Sequence, residues 1–202
     1  MRLSREAVVT GAFAILDRYG LGDLTMRRLA AELGVQPGGL YWHFANKQTL
    51  LAAMSDAITG GIATSREQVS GDWQADLAGL SRAFRTALLS HRDGAELVAA
   101  GYALRPGSGQ PLESMIKIMD RAGLPDPESR AAAAALVHFV LGHAAEVQAH
   151  DQLRAAAALP EVADQAPDAD AAFSVGLEIF LAGVAARCAG TEPRSSRSAP
   201  GR

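Results

Sequence analysis

Apolar residues recur along this chain at the spacing of one helical face, and the breaks between them are chemically marked. Val9, Ala12, Phe13 and Leu16 fall at i, i+3, i+4 and i+7 behind Ser4, whose hydroxyl can cap a first helix ending at Tyr19-Gly20. Met26, Leu29, Ala30 and Leu33 repeat the pattern behind a second capping residue, Thr25. Gly34 follows the last apolar position, where a left-handed residue ends a helix, and Pro37 has the fixed φ of a first helical turn. A second short helix is predicted over about Gln36 to His43, with Leu40 and Phe44 as its apolar anchors. Two short helices across a tight glycine turn, about residues 25–44, are the pattern of a helix-turn-helix. A fourth helix runs from Lys47 through Leu50, Leu51, Met54 and Ile58 to Gly60-Gly61, a pair costing roughly 1 kcal/mol per glycine in helix propensity.

Beyond the glycine pair the pattern stays helical. Trp73, Leu77, Leu80, Phe84 and Leu88 form one stripe, and the helical run continues to a break at residues 104–109. A short helix from Leu112 to Ala122 is stopped by Gly123. The segments Glu128 to about Leu153 and Ala171 to Arg187 are apolar on more than one side. Such helices are buried on two faces, which predicts an intermolecular four-helix bundle and therefore a homodimer. The fold class is all-α. A three-helix headpiece occupies residues 1–61, a ligand-binding and dimerisation body residues 62–190, and a Ser/Pro/Arg-rich tail, expected to be disordered, residues 191–202.

Composition narrows the classes. With 202 residues, 49% of them apolar, the chain can bury a sizeable core, and no uncharged apolar run reaches membrane-spanning length. One cysteine, Cys188, forms no internal disulfide, and the N-terminus lacks a signal peptide's apolar core, so a cytoplasmic protein without a membrane partner is expected. Net charge is −3, but residues 1–60 carry +1. Such weak positive bias predicts DNA binding that depends on pairing two headpieces. No nucleophile–base pair or phosphate-cradling glycine loop is found, so no enzyme is expected, and no cofactor. His143, Glu146 and His150 share a helical face but lack a fourth ligand, and no metal site is assigned.

The chemistry concentrates in Tyr41, Trp42 and His43. Leu40 and Phe44 take the core-facing register, so these three cannot all turn inward on a 3.6-residue helix. A hydroxyl, an indole N–H and an imidazole beside Asn46 and Lys47 suit a phosphate backbone.

These residues resemble the TetR family of bacterial one-component repressors. The resemblance rests on Leu24-Thr25, Leu29-Ala30, Leu33-Gly34-Val35, Leu40-Tyr41-Trp42-His43-Phe44 and Asn46-Lys47. In the body it extends to the tetracycline repressor subgroup through Trp73-Gln74, Phe84-Arg85, Ser90-His91-Arg92-Asp93-Gly94-Ala95, His138-Phe139 and Gly176-Leu177-Glu178. The resemblance implies that Arg27 reads a guanine, with Gln36 and Pro37 at the base edges, and that Thr25, Tyr41, Trp42, His43 and Lys47 hold phosphates. Gly38 and Gly39 stand where the tetracycline repressor has larger side chains, so a different operator is expected. The partners implied are a palindromic double-stranded DNA operator, a second copy of the chain, and a small molecule that releases the repressor.

At the effector positions Ile62 and Leu80 replace polar drug contacts, Met115 replaces a glutamine, and the metal-binding histidine falls near Val98 or Ala99, whereas Phe84, Arg105 and Glu146 match. Ala133 joins Leu80, Phe84 and Met115 on an apolar surface that reads equally as pocket or as solid core. Tetracycline–magnesium is therefore not the expected effector. The alternative is an effector-independent DNA-binding regulator controlled by abundance or by a partner protein.

Overall fold

A computed structural model describes residues 3–62, 70–105, 109–156 and 168–190, and every regular element among them is helical. The order is α1 (Arg5–Tyr19), α2 (Met26–Glu32), α3 (Pro37–Tyr41), α4 (Lys47–Gly60), α5 (Trp73–Leu89), α6 (Gly94–Leu104), α7 (Leu112–Arg121), α8 (Glu128–Ala155) and α9 (Ala169–Gly190). The expected tail at 191–202 and most of the acidic loop before α9 lie outside the described residues.

Helices α1 to α3 close around Leu24, Leu29, Leu40 and Phe44, with Leu50 and Met54 of α4 completing the core. Local capping sets the boundaries. Ser4 accepts from the Ala7 N–H, Thr25 from the Arg28 N–H, and Asn46 and Thr49 form a reciprocal box at the start of α4. The buried face of α1 differs from the expected one. Val8, Ala12, Ile15 and Leu16 are inside, whereas Val9 and Phe13 sit at the margin. The two registers are equally periodic, and a contact remote in sequence decides between them: the Phe13 ring stacks on His91 at 4.3 Å.

The body departs from the expected unbroken run after Trp73. The chain turns between α5 and α6 at Ser90–Asp93, where Asp93 takes a left-handed φ of 54°. Gly94 is required next, since an added Cβ would lie 2.2 Å from the Leu88 carbonyl oxygen. This turn joins headpiece to body. Asp93 accepts from the Leu21 N–H at 2.7 Å with one carboxylate oxygen and from Gln152 of α8 at 2.6 Å with the other. Asp17 of α1 accepts from His91 Nδ1 at 3.0 Å and from the Arg92 N–H at 3.2 Å. Gln148 of α8 donates to the Leu88 and His91 carbonyls and accepts from the Ala95 N–H.

A second junction brings α4 onto α6, where Gly101 lets the helices approach: a Cβ there would stand 2.3 Å from Ser55 Oγ. Helices α8 and α9 are long and apolar enough to cross a bilayer, but α8 buries Ala133, Leu136, Val137, Val140 and Ala144 in the body, packed on α5, α6 and α7. The outer face of α9 exposes Val175 and Ile179, at 56% and 69% of their surface.

Candidate DNA interface and effector residues

Helix α3 ends two residues earlier than its sequence predicts, and Gln36 is its cap and not its first residue. Tyr41 ends it, and the Leu40 carbonyl accepts from both the His43 and Phe44 N–H groups at 2.9 Å, tightening the turn. The capping box at Asn46 then starts α4, which leaves no room for a further α3 turn. Leu40 and Phe44 are fully buried, as the register requires. Tyr41 is 53% exposed and Trp42 91%. Among the described residues nothing covers this indole.

Around this surface the expected DNA residues come together. Thr25 caps α2 as an acceptor, so its O–H proton is available to a phosphate. Arg28 is spent inside the headpiece, ion-paired with Asp23 and stacked over the Tyr19 ring at 4.2 Å. Arg27 beside it is exposed and has no partner among the described residues. Gln36 caps α3 through its backbone alone, leaving its amide uncommitted. Pro37, Gly38 and Gly39 form the first turn, and a Cβ on either glycine would meet nothing within 4 Å. Their openness is therefore no packing requirement. Lys47 opens α4 next to His43, both half-buried. One residue outside the sequence-based set touches the same turn: Arg5 of α1 donates to the His43 carbonyl. Nothing local marks Arg5, because the bond spans 38 positions.

The effector candidates divide in two. Ile62, Leu80, Phe84, Met115 and Ala133 are buried, three of them completely. Arg105 and Glu146 are exposed in the single chain. Arg105, at the end of α6, pairs with Asp56 of α4, which ties the body to the helix that carries the headpiece. Buried hydroxyls in this region are satisfied locally: Thr59 donates to the Ser55 carbonyl, Ser81 to Leu77 and Ser114 to the Gln110 side chain. Ser129, at the start of α8, is the exception among the described residues, with a buried Oγ and no partner. Tyr102 donates to the Gln110 carbonyl at 2.9 Å, and burial pushes its phenol up to about 12.

Both ring nitrogens of His143 are engaged within the chain. Its Nε2 donates to the Ala169 carbonyl at 2.9 Å, and its Nδ1 accepts from Arg85 at 3.4 Å. Arg85 also pairs with Asp170 and lies over the Phe173 ring, so this cluster fastens α9 to α5 and α8. No group of three His, Cys, Asp or Glu side chains gathers among the described residues.

Comparison with known proteins agrees with this architecture at both ends. Residues 8–54 match the family of bacterial regulatory proteins named for TetR, and residues 67–167 match the tetracyclin repressor-like C-terminal domain. The class G tetracycline repressor of Vibrio anguillarum is 34% identical, over 90% of this chain and 93% of its own. BioQ of Mycobacterium smegmatis superposes with a TM-score of 0.80 at 39% identity, covering 92% of this chain and 99% of that one. BioQ with its double-stranded DNA operator gives 0.75 at the same identity and coverage. ActR of Streptomyces coelicolor in complex with (S)-DNPA gives 0.76 at 29% identity, over 92% and 98% of the chains. With a headpiece and a body that both match, and with this helix-turn-helix surface, the chain belongs to the TetR family of DNA-binding transcriptional regulators.

Proposed function

We propose that this chain is a homodimeric repressor that binds a palindromic operator through paired headpieces, residues 1–61, and leaves it when a largely apolar small molecule fills the body, residues 62–190. It acts in the cytoplasm, where the operator is. The observation that carries the operator reading is the α2–α3 surface: Arg27 and Gln36 with no side-chain partner among the described residues, Tyr41 and Trp42 exposed beside them, and Leu29, Leu40 and Phe44 buried beneath. An Arg bidentate to a guanine is worth roughly 1–3 kcal/mol of discrimination, and the hydroxyl, indole and lysine set register on phosphates. The two glycines leave α3 with no side chain at its centre, so reading falls to Arg27 and Gln36.

For the effector, the Val98 and Ala99 side chains supply no lone pair where a magnesium-binding histidine is expected, and Ile62 and Leu80 offer a polyhydroxylated drug no polar atom, with Met115 offering only a weakly accepting thioether. This chemistry supports an apolar ligand that needs no metal. Similarity to ActR in complex with (S)-DNPA supports release by a small molecule, and similarity to BioQ bound to its operator supports the DNA contact. The test is a gel shift with the duplex upstream of the chain's own gene. Wild type retards it, Arg27→Ala does so poorly, tetracycline with magnesium leaves the shift in place, and EDTA changes nothing. Release by tetracycline–magnesium overturns the effector assignment; failure to bind any upstream duplex overturns the operator assignment.

A further inference from the structure

Most headpiece cations near the DNA surface are either free or neutralised, and Arg5 is neither. Arg28 is neutralised by Asp23, whereas Arg27 has no partner among the described residues. Arg5, the first residue of α1, is exposed yet fixed: its Nη1 donates to the His43 carbonyl at 3.1 Å, and its guanidinium lies 4.2 Å over the Phe44 ring. Both contacts orient the group without cancelling its charge, since a carbonyl and a ring face are dipole and quadrupole, not anions. Phe44 is itself immobile, 1% exposed in the headpiece core. A guanidinium has five N–H donors, and one is accounted for here. The result is a pre-oriented charge, with no anionic partner among the described residues, on the turn that follows α3 beside Tyr41, Trp42 and His43.

We propose that Arg5 is a phosphate-binding and positioning residue of the DNA interface. It clamps the turn at His43-Phe44 from α1, fixing where α3 ends, and offers its remaining N–H groups to the sugar–phosphate backbone. A planar fork suits a phosphate oxygen pair, and holding it in advance lowers the ordering cost of the contact. The inference rests on DNA binding by the headpiece but not on the identity of the operator, because a phosphate contact acts on any sequence.

The experiment measures fluorescence anisotropy of the full-length dimer on two labelled duplexes, the chain's own upstream DNA and a scrambled one, across a salt series. For Arg5→Ala the expected result is an affinity loss of about tenfold, similar on both duplexes, with the log–log salt slope shallower by about 1 per subunit. Arg5→Lys retains the slope and loses affinity severalfold, because an ammonium restores the charge but neither the planar stack nor the fork. The thermal midpoint of each variant is read alongside, and where Arg5→Ala fails to fold the Lys variant decides. An unchanged slope in Arg5→Ala, or a loss confined to the upstream duplex, overturns the phosphate contact. Wild-type affinity in Arg5→Lys overturns the clamp. If wild type binds neither duplex at low salt, the DNA-binding reading itself falls.

Discussion

Gly39 is a residue that the fold does not require to be glycine. Its φ is helical and a Cβ would meet nothing within 4 Å, so alanine fits and removes backbone freedom from the unfolded chain. Gly39→Ala is expected to raise the unfolding midpoint, by an amount equivalent to about 0.5–1 kcal/mol. On the proposed operator reading the same methyl stands between α3 and the base edges, and operator affinity is expected to fall by roughly 1 kcal/mol or more per half-site. A thermal melt and a gel shift on one preparation check both signs, and a variant that gains stability with full operator affinity overturns the close-approach role. Local residues such as Thr25, Gly34 and Pro37 were legible in the sequence because capping and turn chemistry act within four positions. Arg5 and Asp93 were not. Their partners, the His43 carbonyl and the Leu21 N–H, lie 38 and 72 positions away, where periodicity carries no signal.

Between elements the decisive contacts are two junctions that fix the headpiece on the body. At the first, Asp93 bridges Leu21 and Gln152, and the α5–α6 turn that holds it was read as continuous helix because only the Asp-Gly pair marks it. At the second, Gly101 meets Ser55 so closely that Gly101→Ala must push α4 from α6. Loss of operator affinity is therefore expected to exceed what its fall in thermal midpoint explains; equal operator affinity at reduced stability would show that α4 placement does not depend on this contact. Helix α5 is held to α7 by Asp76, which accepts from the Ser70 N–H at 3.0 Å and the Ser70 hydroxyl and pairs with Arg121. The Ser70 backbone bond, joined by its hydroxyl and by Arg121, holds this carboxyl below its ordinary 3.8 despite burial. A depressed carboxyl contributes stability above its unfolded value and loses it as pH falls through the folded one. Asp76→Asn should thus be less stable than wild type near neutral pH, and the gap should begin to narrow below about pH 4 and shrink further as pH falls through the lower folded value. Urea midpoints at neutral pH and about pH 3 check this, and a gap that does not narrow in acid removes the charge from the explanation.

Across the whole molecule the outer face of α9 demands a second copy. Val175 and Ile179 stand one turn apart and mostly exposed, and Leu153 of α8 is 47% exposed, while Phe173, Leu177 and Val184 on the opposite side of α9 are buried against the body. The sequence predicted this two-sided burial from composition; the structure supplies one side, anchored by Arg85, His143 and Phe173. The other is left for a symmetric partner, because an isologous contact repeats the same apolar stripe on both copies. Pairing then matters for DNA as well as for solubility, since the headpiece carries a formal charge of only about +1 and each subunit grips few phosphates. Two tethered headpieces gain roughly 100-fold or more in apparent affinity over one by effective concentration alone. The double variant Val175→Glu, Ile179→Glu should therefore elute as a folded monomer with unchanged helical circular dichroism, and its operator affinity should fall by about that factor. A charged pair in that stripe that leaves the dimer intact would move the interface to another face of the body; a monomer that keeps full operator affinity would break the link between pairing and DNA recognition.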